Sequence, residues 1–309
     1  MSLIKVIDIA FVRFQAPDLG KMRSFLEDFG LRCFDANGRL FAAGSDGSPF
    51  AHVTQLGSPA FLGLGFQAET LADLERLAKS EDKVIERAET PGGGHRVRLT
   101  DPDGFEVDIV AGQEWETASP LDPDVPFNSA AERRRLRAAV RVRPGPSKVR
   151  RLGHAVLMVS DFSRSERWYK DRFGLITSDQ VEIEPGNPIG AFLRCDRGDL
   201  PTDHHTLFLA QAPQGPGFNH AAFEVGGFDD LMAGHSHLKS RQHSPAWGVG
   251  RHVLGSQIFD YWKDPWGHEL EHWTDGDLLT AADAPGVVGL EELLGTQWGS
   301  PHPLQSDQN

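Results

Sequence analysis

The stretch Leu152-Gly153-His154-Ala155-Val156-Leu157 leads through Asp161-Phe162 to Phe173-Gly174-Leu175, and the same order occurs near the start of the chain. There Ile9-Ala10-Phe11-Val12-Arg13-Phe14 leads through Asp18-Leu19 to Phe29-Gly30-Leu31, one residue shorter. Each copy begins with the apolar alternation of a strand. An Asp follows, placed to cap a helix, and then apolar residues at helical spacing: Leu19, Met22, Phe25 and Leu26 in one copy, Phe162, Trp168, Tyr169 and Phe173 in the other. A glycine ends each helix.

Two further pairs of segments match in the same order. Leu62-Gly63-Leu64-Gly65-Phe66-Gln67-Ala68 parallels Asn219-His220-Ala221-Ala222-Phe223-Glu224-Val225, and Asp101-Pro102-Asp103-Gly104-Phe105-Glu106-Val107-Asp108 parallels Asp264-Pro265-Trp266-Gly267-His268-Glu269-Leu270-Glu271. In the last pair Pro and Gly supply the geometry of a tight turn, and alternation after the turn reads as a returning strand. The chain is therefore one pattern used twice, mainly strands with one or two helices per half, an α+β protein. The halves are expected at 1–113 and 151–285, joined by an Arg- and Pro-rich linker, 114–150, and followed by a polar tail, 286–309.

Composition agrees with two folded domains. The chain has 309 residues, 39% of them apolar and 24% charged, which excludes disorder and collagen-like repeats, and the length allows each half a core of its own. No apolar run approaches the roughly 20 residues that span a bilayer, and residues 1–8 lack the pattern of a secretory signal. Cys33 and Cys195 are too few for a disulfide framework or a thiolate zinc site. A cytoplasmic location is the expectation, with no membrane partner. The formal charge of −13 repels a phosphate backbone, so nucleic acid is not expected as a partner. The basic run Arg133, Arg134, Arg135, Arg137, Arg141, Arg143, Lys148, Arg150 and Arg151 reads as a connector pairing with carboxylates of the adjoining halves.

Superposing the halves isolates substitutions that packing did not require. His154 stands where the first half has Phe11, His220 where it has Gly63, and Glu271 where it has Asp108. Two histidines and a carboxylate on three separate strands form a facial triad, which suits a divalent metal such as ferrous iron and leaves coordination positions open. Glu269 shares a strand face with Glu271, so alternation alone does not choose between them.

At these residues the chain resembles the vicinal oxygen chelate proteins of the glyoxalase and bleomycin resistance superfamily, and within them the two-module type I extradiol, catechol 2,3-dioxygenase-like enzymes, over roughly residues 5 to 275. The carrying motif runs from Gly250-Arg251-His252 to Tyr261-Trp262-Lys263-Asp264-Pro265-Trp266-Gly267-His268-Glu269-Leu270-Glu271, with Asp260 where that family usually has an apolar residue before the Tyr. The resemblance implies repeated βαβββ modules forming two tandem open barrels, with metal in the C-terminal one only. It implies His154, His220 and Glu271 as ligands of iron(II), with manganese(II) as the alternative metal and O2 as co-substrate. His205 is the implied acid–base residue; local alternation leaves its neighbour His204 equally open. His252 and Tyr261 are implied to hydrogen-bond to the substrate and the attacking oxygen. Val156 and Trp247 are expected to line the substrate pocket and to favour an apolar or hydroxyl-bearing ring over an acidic side chain.

The implied activity is cleavage of a catechol or polyhydroxylated arene beside its diol, in aromatic-compound degradation, by a homo-oligomer, dimer or tetramer. Two other functions share the scaffold: a metal-dependent glyoxalase-like isomerase or transferase, and a non-enzymatic binding or resistance protein. The remaining histidines, His52, His95, His235, His237, His243, His268, His272 and His302, read as surface or turn residues.

Overall fold

A computed structural model describes residues 2–121 and 126–303, so a few residues of the expected linker and the last six of the expected tail lie outside the described residues. The first half contains β1 (Val6–Ala16), α1 (Leu19–Phe29), β2 (Arg32–Ala36), β3 (Arg39–Ala43), β4 (His52–Leu56), β5 (Ala60–Ala68), α2 (Leu71–Ser80), β6 (Glu86–Arg87), β7 (His95–Thr100) and β8 (Glu106–Ala111). This is the βαβββ unit twice. The second half repeats it with β9 (Val149–Val159), α3 (Phe162–Phe173), β10 (Leu175–Glu184), β11 (Asn187–Cys195), β12 (Thr202–Asp203), β13 (Leu207–Gln211), β14 (Gly217–Val225), α4 (Phe228–Ser240), β15 (Ser244–His252), β16 (Ile258–Lys263) and β17 (Glu269–Thr274). It continues through β18 (Leu278–Leu279), β19 (Gly286–Val288), α5 (Leu290–Leu294) and β20 (Thr296–Gly299).

Each half forms one open, mixed sheet, eight strands in the order β2-β3-β4-β1-β5-β8-β7-β6 and ten in the order β19-β10-β11-β13-β9-β14-β17-β16-β15-β20. Pairing registers coincide as well as order. Phe11 pairs with Gly65 and Gly65 with Asp108; in the second half His154 pairs with Ala222 and Ala222 with Glu271. One register step is enough to move a side chain to the opposite face, so this coincidence carries the sequence repeat into three dimensions.

The local signals act as expected. Asp18 accepts from the Lys21 backbone N–H and Asp161 from that of Arg164, both at 2.9 Å, while Gly30 and Gly174 close the helices at φ +108° and +69°. In the turns before the last strands, Asp101 Oδ1 accepts two backbone N–H groups, and Asp264 Oδ1 does the same. Gly63 sits at φ +152°, and a Cβ there would stand 1.9 Å from the Glu106 carbonyl oxygen.

Three features differ from expectation. The main core is shared: Phe14 and Phe61 meet Phe218, Phe29 meets Phe223 and Phe66 meets Phe173 across the two halves, within one continuous cluster. The segment after 286 is more than a polar tail, since β19 pairs with β10 and β20 with β15. His52 and His272 are 1% and 0% exposed rather than at the surface; His52 stacks on Phe14, and His272 Nε2 donates to the Phe29 carbonyl at 2.7 Å. In the basic run, Arg151 does reach carboxylates of both halves, Asp8 at 3.5 Å, Asp203 at 2.6 Å and Glu224 at 2.7 Å. Arg150 instead donates to the Ser45 and Ser119 carbonyls.

Candidate metal centre and its counterpart

Three adjacent strands, β9, β14 and β17, present His154, His220 and Glu271 to one point: a ligand atom from each lies within 4.8 Å of the others. The Nε2 atoms of His154 and His220 stand 3.4 and 3.2 Å from Glu271 Oε2, and that of His252 stands 3.7 Å from Oε1. Glu271 is fully buried, yet neither of its oxygens has a hydrogen-bond partner. A buried carboxylate that accepts no hydrogen bond costs several kcal/mol unless a cation satisfies it. Two imidazoles and an otherwise unsatisfied carboxylate therefore fit a divalent metal, and these donors leave several coordination positions for other ligands.

The protonation states agree. Burial lowers the His154 imidazole below its usual range. Burial opposes charge on Glu271, but the imidazoles of His154, His220 and His252 facing it prevail and hold it well below the carboxylate range. Neutral imidazole and ionised carboxylate are the forms that bind metal.

His204 and His205 lie in a bend before β13 rather than within a strand. Both are 4% exposed. The His205 ring lies 4.0 Å from that of His154 and 4.9 Å from that of Phe192. His204 faces backwards, its Nε2 2.7 Å from Asp179 Oδ2 and its Nδ1 3.1 Å from His205 Nδ1. Burial, then the neighbouring imidazoles His154 and His204, push the His205 ring well below its usual range. Of the two, His205 is beside the ligand set.

On the other flank, β15 and β16 bring His252 Nε2 to 3.1 Å from the Tyr261 hydroxyl, whose ring lies 5.0 Å from that of His220. Burial keeps the Tyr261 phenol well above its usual range, so it stays protonated. Trp247 lies 5.4 Å from both His252 and Tyr261, and Val156 pairs across the sheet with His220. Asp260 points away from this group into the α4 side, where the Trp262 indole donates to it at 2.6 Å and His235 lies 3.2 Å away. That explains a carboxylate where the motif usually has an apolar residue.

Sequence reasoning missed the surroundings. Phe192 and Phe208 stack at 4.1 Å behind His205, Phe259 stacks on His252, and His302 reaches Trp247 at 4.5 Å, with Trp247 Nε1 donating to the Ser300 carbonyl. The three phenylalanines are ordinary strand residues, and the approach of residues 300–302 depends on β20, which has no turn or period signal of its own.

In the first half the same positions hold different chemistry. Phe11 and Phe50 meet at 4.9 Å where His154 and His205 meet in the second half. Asp108, the counterpart of Glu271, is taken up by arginines: Arg98 donates to it through two nitrogens at 2.7 and 3.0 Å, Arg13 forms a further ion pair with it, and Arg96 lies 3.7 Å away. Despite burial, these guanidiniums hold the Asp108 carboxyl below its usual range. Among the described residues, His154, His220 and Glu271 are the one group of clustered metal donors, and they lie in the second half.

Comparison with known proteins bears on the same region. Residues 151–272 match the model of the Glyoxalase/Bleomycin resistance protein/Dioxygenase superfamily. Over 294 residues, 94% of this chain and 88% of the relative, the chain is 29% identical to the protein named metapyrocatechase 2 of Cupriavidus necator. Among solved structures it resembles a Mn(II)-bound glyoxalase from Novosphingobium aromaticivorans, with TM-score 0.77, 20% identity and coverage of 97% and 93% of the two chains. It also resembles a substrate complex of homoprotocatechuate 2,3-dioxygenase from Brevibacterium fuscum, with TM-score 0.77, 18% identity and coverage of 99% and 93%. At these identities the structural likenesses establish the fold.

Proposed function

We propose, on the premise that this chain is an extradiol dioxygenase of the glyoxalase, bleomycin resistance protein and dioxygenase superfamily, that it uses iron(II) to open a catechol whose ring substituents are uncharged. The observation that carries the proposal is the convergence of His154, His220 and the unsatisfied Glu271 carboxylate, with His205 on one flank and the His252–Tyr261 pair on the other. His154, His220 and Glu271 would hold the metal. When bound, ferrous iron supplies Lewis acidity to the diol oxygens and electron transfer towards dioxygen.

The remaining chemistry belongs to side chains. If Asp179 accepts the proton on His204 Nε2, then His204 Nδ1 is an acceptor and His205 Nδ1 donates to it. That arrangement leaves the unprotonated Nε2 of His205 for the site, where it takes a proton from the diol and later returns one to the departing oxygen. His252 Nε2 and the protonated Tyr261 hydroxyl, 3.1 Å apart, orient the substrate oxygens from the opposite flank. Val156, Trp247, Phe192 and Phe259 present apolar and aromatic surface around this point, and that surface supports a ring without a charged side chain.

Oxygen consumption is the test. With ferrous iron and air, a panel of catechols is expected to give O2 uptake and a yellow ring-fission product, with 3- or 4-alkyl catechols preferred over catechols bearing a carboxylate. Anaerobic chelation is expected to abolish both. Isomerisation of a glutathione hemithioacetal without O2 uptake would instead support the glyoxalase-like reading that the manganese-bound neighbour suggests.

A further inference from the structure

The first half carries a cleft at the register positions that flank the candidate ligands in the second half, and the residues at those positions differ in charge between the halves. In the second half the positions around the ligands are Val156, Phe259 and Tyr261; in the first half the residues in equivalent pairings are Arg13, Arg96 and Arg98. There they line a cleft of about 540 Å3, together with Arg39, Arg87 and a single aliphatic residue, Leu62. Aromatic and aliphatic surface has thus been exchanged for guanidinium at the place where the other half is expected to take its substrate.

The charges are partly spoken for. Arg13 and Arg98 pair with Asp108 and Glu106, and Arg96 with Glu86. Arg39 differs, because among the described residues its one side-chain hydrogen bond is to the Glu89 carbonyl at 3.3 Å. Burial, and then the guanidiniums of Arg13 and Arg96, push Arg39 below its ordinary range, so it faces other cations. Counting Glu89 as well, five arginines meet four carboxylates, and one positive charge is left over. Thr90 and Gln55 add neutral hydrogen-bonding groups to the lining.

We propose that this N-terminal cleft is a binding site for a small monocarboxylate bearing a hydroxyl or oxo group, its carboxylate held by Arg39 and its second oxygen function by Thr90. A monoanion balances the excess charge, whereas a di- or trianion would be repelled by Glu86, Glu89 and Glu106. With one aliphatic side chain in the lining, the cleft has little to offer an aromatic ring.

The test is calorimetric titration of the full chain carrying its metal, with lactate and pyruvate as probes and inorganic phosphate as competitor. Lactate or pyruvate is expected to bind with a dissociation constant on the order of millimolar, and Arg39→Gln is expected to weaken that binding by about tenfold or more while leaving metal content and catechol turnover unchanged. Thr90→Val, a smaller change on the cleft wall, is expected to weaken it severalfold should the arginine variant not fold. His154→Ala, which removes a metal ligand, is expected to leave it intact. Absence of heat with the wild-type chain, equal affinity in Arg39→Gln and Thr90→Val, loss of binding in His154→Ala, or displacement by an equal concentration of phosphate would each overturn the assignment.

Discussion

His205 and Glu271 are the side chains whose loss should separate chemistry from metal binding. Replacing His205 with Phe removes the proposed proton carrier and retains a flat ring against His154 and Phe192. Metal content should stay at the wild-type level while turnover falls by about 10²- to 10⁴-fold. Metal analysis and O2 uptake on the same preparation check this together. Glu271→Ala should lose the metal, and the melting temperature should then no longer rise when ferrous iron is added. Asp179→Asn reverses the hydrogen-bond polarity behind His204, so it should lower turnover about tenfold or more and change its pH profile, with no effect on metal content. The candidate ligands were legible because duplication supplied an internal control: where one copy needs Phe11, Gly63 and Asp108, a pair of histidines and a glutamate demand a reason. Strand alternation left the choice between His204 and His205 open, because neither lies within a strand, and only the family resemblance pointed to His205.

At the level of strands, the coincident registers of β1-β5-β8 and β9-β14-β17 explain why motif spacing carried so much information. Pairing of parallel and antiparallel strands fixed which residues could meet. What the spacing did not show was the burial of His52, which lies between Phe14 and Thr54 on β4 and has its imidazole driven to about 3 by burial. The unfolded chain takes up that proton near pH 6.5, and the folded chain takes it up only near 3. His52 therefore leaves stability intact above about pH 6.5 and reduces it as pH falls from there towards 3, by at most about 1.4 kcal/mol per pH unit. Urea unfolding of His52→Gln between pH 7 and 4.5 should give a flatter pH dependence than the wild type. A second prediction concerns β8. Asp108→Ala leaves Arg13, whose side chain is 7% exposed, without its main partner, and should cost about 3–5 kcal/mol in denaturant unfolding; Asp108→Asn should cost less.

For the molecule as a whole, the sequence indicated two halves but not how they meet. Complementary side chains distant in sequence leave no periodic signal. The contact is extensive: phenylalanines of both halves share a core, the Tyr169 hydroxyl donates to Asp101 at 3.0 Å, and the backbone N–H groups of Leu3 and Ile4 donate to Asp171 and Arg172 on α3. Asp28 at the end of α1 faces His237, Arg241 and His243 of the other half at 2.9 to 3.2 Å. Burial works against its charge, but these partners prevail and hold the carboxyl below its usual range, so its contribution is present at neutral pH and lost as the solution becomes more acidic than an ordinary aspartate pKa. Asp28→Ala should lower the melting temperature by several degrees at pH 7 and by less at pH 3, measured by calorimetry. If the halves were independent, one transition would shift alone; the shared core predicts that the single transition shifts as a whole.

The glycine at position 63 bars the first half from the donor set of the second. Restoring a ligand set to the first half would need a histidine there, yet the backbone has settled at φ +152° with the Glu106 carbonyl where the first side-chain carbon would have to go. The neighbouring carboxylate has meanwhile been claimed by three guanidiniums. No single substitution would build that set, because each would give a form that is strained or leaves a buried charge unpaired. A metal site in the first half would therefore need concerted changes on β1, β5, β7 and β8 together.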